Sequence, residues 1–314
     1  MPSEKYGGLH SQLTLMAIAL SFLLLASIYL RGWCNLRSTL PKSGGLWRFA
    51  GFAIGVLLTW SVLATPFGHL DQRSLTAHMA QHLVLMTLAA PLLLLGEPVI
   101  TLVRSLPSRY CLRVAKWLSH FASVRGRISV YPVFCWLIGT VCVIWWHVPT
   151  VFAFGMRSER WHEFEQLTFF AAGLVFWWPV VQPWPSSGRR PGWFIPLYLF
   201  LATLPCDALS AFLTFCDRVV YSTYVARPEL YHGSALGDQE FAGSMMWVWV
   251  TFVYLIPAVV ITVQRLYARK PSWEQEVVPV TTLLDKTLSL EPRFPGQLAG
   301  QLCVNQNQAV AERD

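Results

Sequence analysis

Seven runs of mainly apolar residues, each about long enough to cross a lipid bilayer, constrain this chain more than any other feature. They fall at 13–30, 46–64, 77–95, 128–147, 162–181, 193–215 and 241–263. A transmembrane helix needs about 20 such residues, and in lipid every backbone polar group must find its partner within the protein. Charge is scarce: 13% of the 314 residues are charged and 54% are hydrophobic, whereas a soluble domain is about one quarter charged. The expected fold is an all-α integral membrane protein, a seven-transmembrane-helix bundle over 13–270. Residues 1–12 precede it, and 271–314 form a polar tail broken by prolines, which reads as disordered. Little positive charge precedes the first run and no small-residue cleavage site follows it, so it reads as a retained span and not a signal peptide.

Basic residues orient the bundle, because Lys and Arg collect in cytoplasmic loops. Arg31, Arg37, Lys42 and Arg48 follow the first run, and Arg104, Arg109, Arg113, Lys116, Arg125 and Arg127 follow the third. Arg189 and Arg190 follow the fifth; Arg265, Arg269 and Lys270 follow the seventh. Those fifteen face six on the other side: Lys5, Arg73, Arg157, Arg160, Arg218 and Arg227. The amino terminus is expected outside, and the carboxyl terminus and tail in the cytoplasm. The net charge of +7 is distributed as topology requires, without the basic face that nucleic-acid binding needs, so the lipid bilayer is the expected environment. Seven cysteines show no CxxC, and Cys135, Cys142 and Cys206 read as small buried hydrophobes. Pro91 and Pro205 are expected to kink their helices.

This topology sorts the polar residues. His69, His78, His82, His147, His162, His232 and Asp238 gather in the outer loops or at the outer ends of spans, and only His120 lies in a cytoplasmic loop. His78 and His82 are four apart, on one helix face. Such a pair can hold a metal or haem, or hydrogen-bond carbonyls of neighbouring helices. Met79 and Met86 flank it, and thioether with imidazole suits copper(I). His147 ends the fourth run in Trp146-His147-Val148-Pro149, as a ligand or an interfacial side chain. His162 opens the fifth, with Glu165 one turn on, able to orient the ring or to act as an interfacial hydrogen-bond partner. Asp238, before the seventh run, suits a ligand, a helix cap or a loop charge; Met245 and Met246 lie one to two turns deeper. Asp207, mid-span in the sixth run, calls for an interior partner.

His78-Met-Ala-Gln-His82 running into Ala90-Pro91 and Gly96-Glu97-Pro98 resembles the third-helix signature of CtaG-type cytochrome c oxidase assembly factors. Trp146-His147-Val148-Pro149, His162 with Phe176-Trp177-Trp178-Pro179, and Leu236-Gly237-Asp238-Gln239 with Met246-Trp247 are similar to further motifs of that family. The resemblance covers about 67–263. It implies a bacterial inner-membrane protein that assists assembly of a haem-copper oxidase by supplying copper, with the oxidase catalytic subunit or other assembly factors as partners. His78, His82, His147 and His162 would be ligands, with Asp238, Met245 or Met246 completing the set. One departure stands out: Gln166 occupies the position, four after His162, where a second histidine is expected. Other readings of the same residue types are a zinc-dependent seven-helix membrane hydrolase, although HExxH and GxSxG are absent, a bis-histidine haem b protein, and a metal-free assembly partner.

Overall fold

The computed structural model describes residues 3–39, 45–64, 74–127, 131–182, 193–225 and 234–268. His69, His232 and the tail expected to be disordered lie outside them. All regular structure among the described residues is helical: α1 (Ser3–Thr39), α2 (Leu46–Ala64), α3 (Leu75–Leu83), a π-helical segment (Val84–Ala89), α4 (Ala90–Leu95), α5 (Pro98–Ser105), α6 (Ser108–Arg127), α7 (Tyr131–His147), α8 (Pro149–Gly155), α9 (Glu159–Val181), α10 (Phe194–Phe215), a 3₁₀ turn (Ser222–Tyr224) and α11 (Ala235–Ala268).

Six stretches are long and apolar enough to span a bilayer: Ala19–Ser38, Leu46–Leu63, Leu75–Leu95, Glu159–Val181, Phe194–Phe215 and Ala235–Gln264. The fourth expected span appears as α7 followed by α8, bent by 82°. Val148 is extended at the elbow and Pro149 opens α8; proline at the first helical position lacks only an N–H that would be unpaired anyway. The stretch after the third span, read as loop, contains α5 and the basic, amphipathic α6. Its Lys and Arg hid the helical period behind a strong topological signal.

The third span changes character midway. Pro91 cannot donate a helical hydrogen bond, and the helix widens just before it, over Val84–Ala89. Trp177 Nε1 donates to the Met86 carbonyl at 3.0 Å, meeting an acceptor in this widened stretch. Packing there is close: a Cβ on Gly173 of α9 would come within 2.9 Å of both Cα and O of Met86. Pro205, by contrast, sits inside α10 without ending it. At the far end of the third span, Tyr29 donates to the Gly96 carbonyl (2.7 Å) and Arg48 pairs with Glu97 (2.6 Å), joining α1 and α2 to the turn between α4 and α5. Large apolar side chains such as Leu57, Phe134, Phe200 and Phe252 face outward, as the surface of a bundle in lipid requires.

Candidate metal centre

The centre lies at the end of the bundle where α3, α9 and α11 begin and α7 ends. Ser74 caps α3 by accepting from Ala77 N, and Asp238 of α11 reinforces that cap from 164 residues away in sequence. Its Oδ1 accepts from Ser74 Oγ at 2.9 Å and Thr76 Oγ1 at 2.6 Å, and its Oδ2 from Leu75 N at 2.6 Å. A carboxylate on helix N-terminal amides also meets the positive end of the helix dipole. The neighbouring Gln239 is fully buried and holds the segment after α10, accepting from Val220 N at 2.7 Å and donating to the Arg218 carbonyl at 3.1 Å. The Asp238 carboxylate is thus engaged in fixing the helix that carries the histidine pair.

His78 and His82 follow at one-turn spacing, with ring centroids 4.4 Å apart and their Nε2 atoms 2.9 Å apart. Glu165, in the second turn of α9, points its carboxylate between them: Oε1 stands 3.5 Å from His78 Nε2 and 3.4 Å from His82 Nε2. One donor atom from each of these three residues falls within 4.8 Å of the others. His78 and Glu165 are each only 1% exposed. Gly155 of α8 backs the carboxylate, since a Cβ there would lie 3.1 Å from Glu165 Oε2.

A buried carboxylate is costly unless it is paired, hydrogen-bonded or bound to a metal. Here the nearest partner of Oε2 is His162 Nδ1, at 3.4 Å and too poorly aligned for a hydrogen bond, and Nδ1 of His78 and of His82 has no partner. When both imidazoles are neutral, only one proton can sit between the two facing Nε2 atoms. Metal–nitrogen bonds of about 2.0–2.1 Å in tetrahedral geometry set adjacent donors roughly 3.3 Å apart. The histidine–glutamate spacings match that edge, and the two Nε2 atoms need to part by only a few tenths of an ångström. The donor set therefore fits a cation such as zinc or copper.

The remaining residues surround this triad. His162 Nδ1 lies 3.4 Å from Glu165 Oε2. Gln166 spans two neighbours, donating to Gln81 Oε1 at 3.0 Å and sitting 2.9 Å from His162 Nε2. With that amide as donor, the His162 proton resides on Nδ1, facing the carboxylate. His147 directs Nδ1 to the Val143 carbonyl at 2.7 Å. Tyr221 donates to the His147 carbonyl at 3.1 Å; burial, and then the charge of Glu165, hold its phenol above the usual range, so it remains a donor. Met246 is buried and Met245 is partly buried against the core. Cys135, Cys142 and Cys206 are free thiols.

The family model for the cytochrome c oxidase caa3 assembly factor (CtaG) matches residues 27–267. The chain belongs to this family. An uncharacterized protein of Mycobacterium leprae is 26% identical over 186 residues, covering 55% of this chain and 27% of the relative. An uncharacterized protein of Mycobacterium bovis is 25% identical over 182 residues, with the same coverage. The chain thus spans about a quarter of the length of these curated relatives. No solved structure matches. Within this caa3 assembly-factor chain, the geometry joins His78 and His82 to Glu165, which the sequence offered only as an orienting group or an interfacial partner. The available signal was its position: an acid inside an apolar run needs a partner in the bundle interior.

Proposed function

We propose that this chain assists assembly of a haem-copper cytochrome c oxidase by holding copper between His78, His82 and Glu165 and releasing it to the oxidase catalytic subunit or to another assembly factor. Copper is cargo here, and ligand exchange moves it without change of charge. The observation that carries the reading is the buried triad, three donor atoms from two helices within 4.8 Å. Family membership supplies the oxidase side of the argument. The excess of Lys and Arg in the opposite loops supports an extracytoplasmic position for this end of the bundle, in a bacterial inner membrane.

His78 and His82 supply imidazole lone pairs, and Glu165 neutralises the cation. His162, held by Gln166, orients the carboxylate, and Asp238 fixes the start of α3. This assigns His162 and Asp238 to positioning and leaves Gln166 outside the ligand set.

Two histidines and a glutamate are also a catalytic zinc set, which favours a hydrolase as the second reading. A hydrolase needs a substrate pocket, commonly about 300–1,000 Å³. The cavity that His82 lines measures about 30 Å³. That cavity suits an ion; a wider, open hollow of about 720 Å³ lies at the start of α9 beside Trp161 and Phe164, so the identity of the metal separates the two readings. Metal analysis of the purified protein, beside the copper content of the oxidase in a strain lacking this chain, tests the proposal. Expected are copper on the parent protein and a copper-poor oxidase in the deletion strain. Stoichiometric zinc with a copper-replete oxidase would overturn it.

A further inference from the structure

Beside the triad, one step deeper in the bundle, lies the cavity of about 30 Å³, whose walls include Met79, Met86, Met246, Cys206, His82 and His147. Methionines in a bundle usually serve packing, and alone they would say nothing. Two observations lift this group above packing. First, His147 is only 8% exposed, its Nδ1 is taken up by the Val143 carbonyl, and its Nε2 has no hydrogen-bond partner. The bond at Nδ1 fixes the tautomer, so Nε2 carries a buried lone pair with nothing to receive it. Second, the π-helical widening after His82 supplies Met86 and Thr87 to the same wall, and such bulges recur at functional sites.

Few polar groups line this space. A cavity of about 10–15 Å³ can hold one water, but that water needs two to four polar partners. Thr87 Oγ1 already donates to the Leu83 carbonyl at 2.6 Å and accepts from Trp249 Nε1 at 2.8 Å. The other lining groups are the Tyr254 hydroxyl, the His82 ring, the His147 lone pair, thioethers and a thiol; imidazole with thioether is a donor set that selects a soft monovalent cation. We propose that the cavity is a second copper(I) station, with His147 Nε2 and the thioethers of Met86 and Met246 as its ligands. His82 belongs to both sites, with Nε2 in the triad and its side chain in the cavity wall. The copper stays monovalent throughout, and bonds to one ligand set form as those to the other break, so no electron or proton is required. This station rests on copper being the cargo, as proposed above.

The test is anaerobic titration of the full-length protein in detergent with copper(I) against a chromophoric chelator, with X-ray absorption at the copper edge. The parent is expected to take two copper(I) per chain, with sulfur among the ligands. Met86→Leu/Met246→Leu, a near-isosteric change that cores tolerate, should lose one equivalent and most of the sulfur signal. His147→Gln should weaken that same equivalent at least tenfold, while Glu165→Gln should remove the other. One copper with only nitrogen and oxygen donors, unmoved by the methionine pair, would overturn the cavity station and leave the triad standing. Sulfur-bound copper indifferent to Glu165→Gln would keep the station and overturn the triad.

Discussion

Asp238 Oδ2 accepts a hydrogen bond from the backbone N–H of Leu75 at 2.6 Å, so the last long helix of the bundle sets the first turn of the helix that carries His78 and His82. Removing the carboxylate strands that N–H and the Ser74 hydroxyl, and leaves the Thr76 hydroxyl only the Asp238 carbonyl at 3.2 Å. Bonds to a charged acceptor contribute about 1.5–3 kcal/mol each and act here as a unit, so Asp238→Ala should destabilise the bundle by roughly 3 kcal/mol. Thermal unfolding in detergent reads this. The metal's absorption spectrum should keep its ligand signature in the surviving folded protein; a changed ligand count would instead make Asp238 a ligand.

Glu165 supplies the only carboxylate of the triad, and Glu165→Gln keeps its shape while removing its charge. Changes beyond the direct ligands of a metal typically cost ten- to hundredfold in affinity. Loss of a direct ligand should exceed about hundredfold, measured by competition with a chelator of known affinity. An unchanged constant would exclude Glu165 from the site.

Gln166 holds His162 by its side-chain amide. Gln166→Leu removes that contact and the bond to Gln81 while leaving His78, His82 and Glu165 intact. Metal affinity should fall about ten- to hundredfold with the ligand spectrum unaltered. A spectrum that loses a donor would show Gln166 bound to the ion.

Gly173 faces Met86 with no room for a side chain. Gly173→Ala places a Cβ 2.9 Å from backbone atoms of the π-helical segment, and overpacking of this kind costs about 1–3 kcal/mol. A lowered unfolding midpoint is expected, together with weaker metal binding, because the segment also forms the wall next to His82. An unchanged midpoint would mean that α9 and the third span separate freely.

Much of the fold was legible because it depends on local composition. A run such as 241–263 declares a span by length and hydropathy alone, and α11 contains it. The elbow at Val148–Pro149 was less legible, since Pro149 read as the end of a span and not as the start of α8. The site was legible in part. His78 and His82 stand four apart in sequence, so helix geometry alone joins them. Their contact with Glu165 depends on how α9 packs against α3, which no local pattern encodes. Asp238 was recognisable as a cap or a ligand; that it caps a helix 164 residues away follows only from the tertiary fold. Gln166 was noticed as a missing histidine, and its bridge from Gln81 to His162 became visible only with the helices in place.

The most direct test of the copper triad is the copper content of anaerobically purified, copper-loaded protein, compared between the parent and His78→Asn/His82→Asn. The parent should retain copper through desalting, and the double variant should lose the equivalent that depends on Glu165. Equal copper in both, at equal affinity, would contradict the assignment of these two histidines as the ligands.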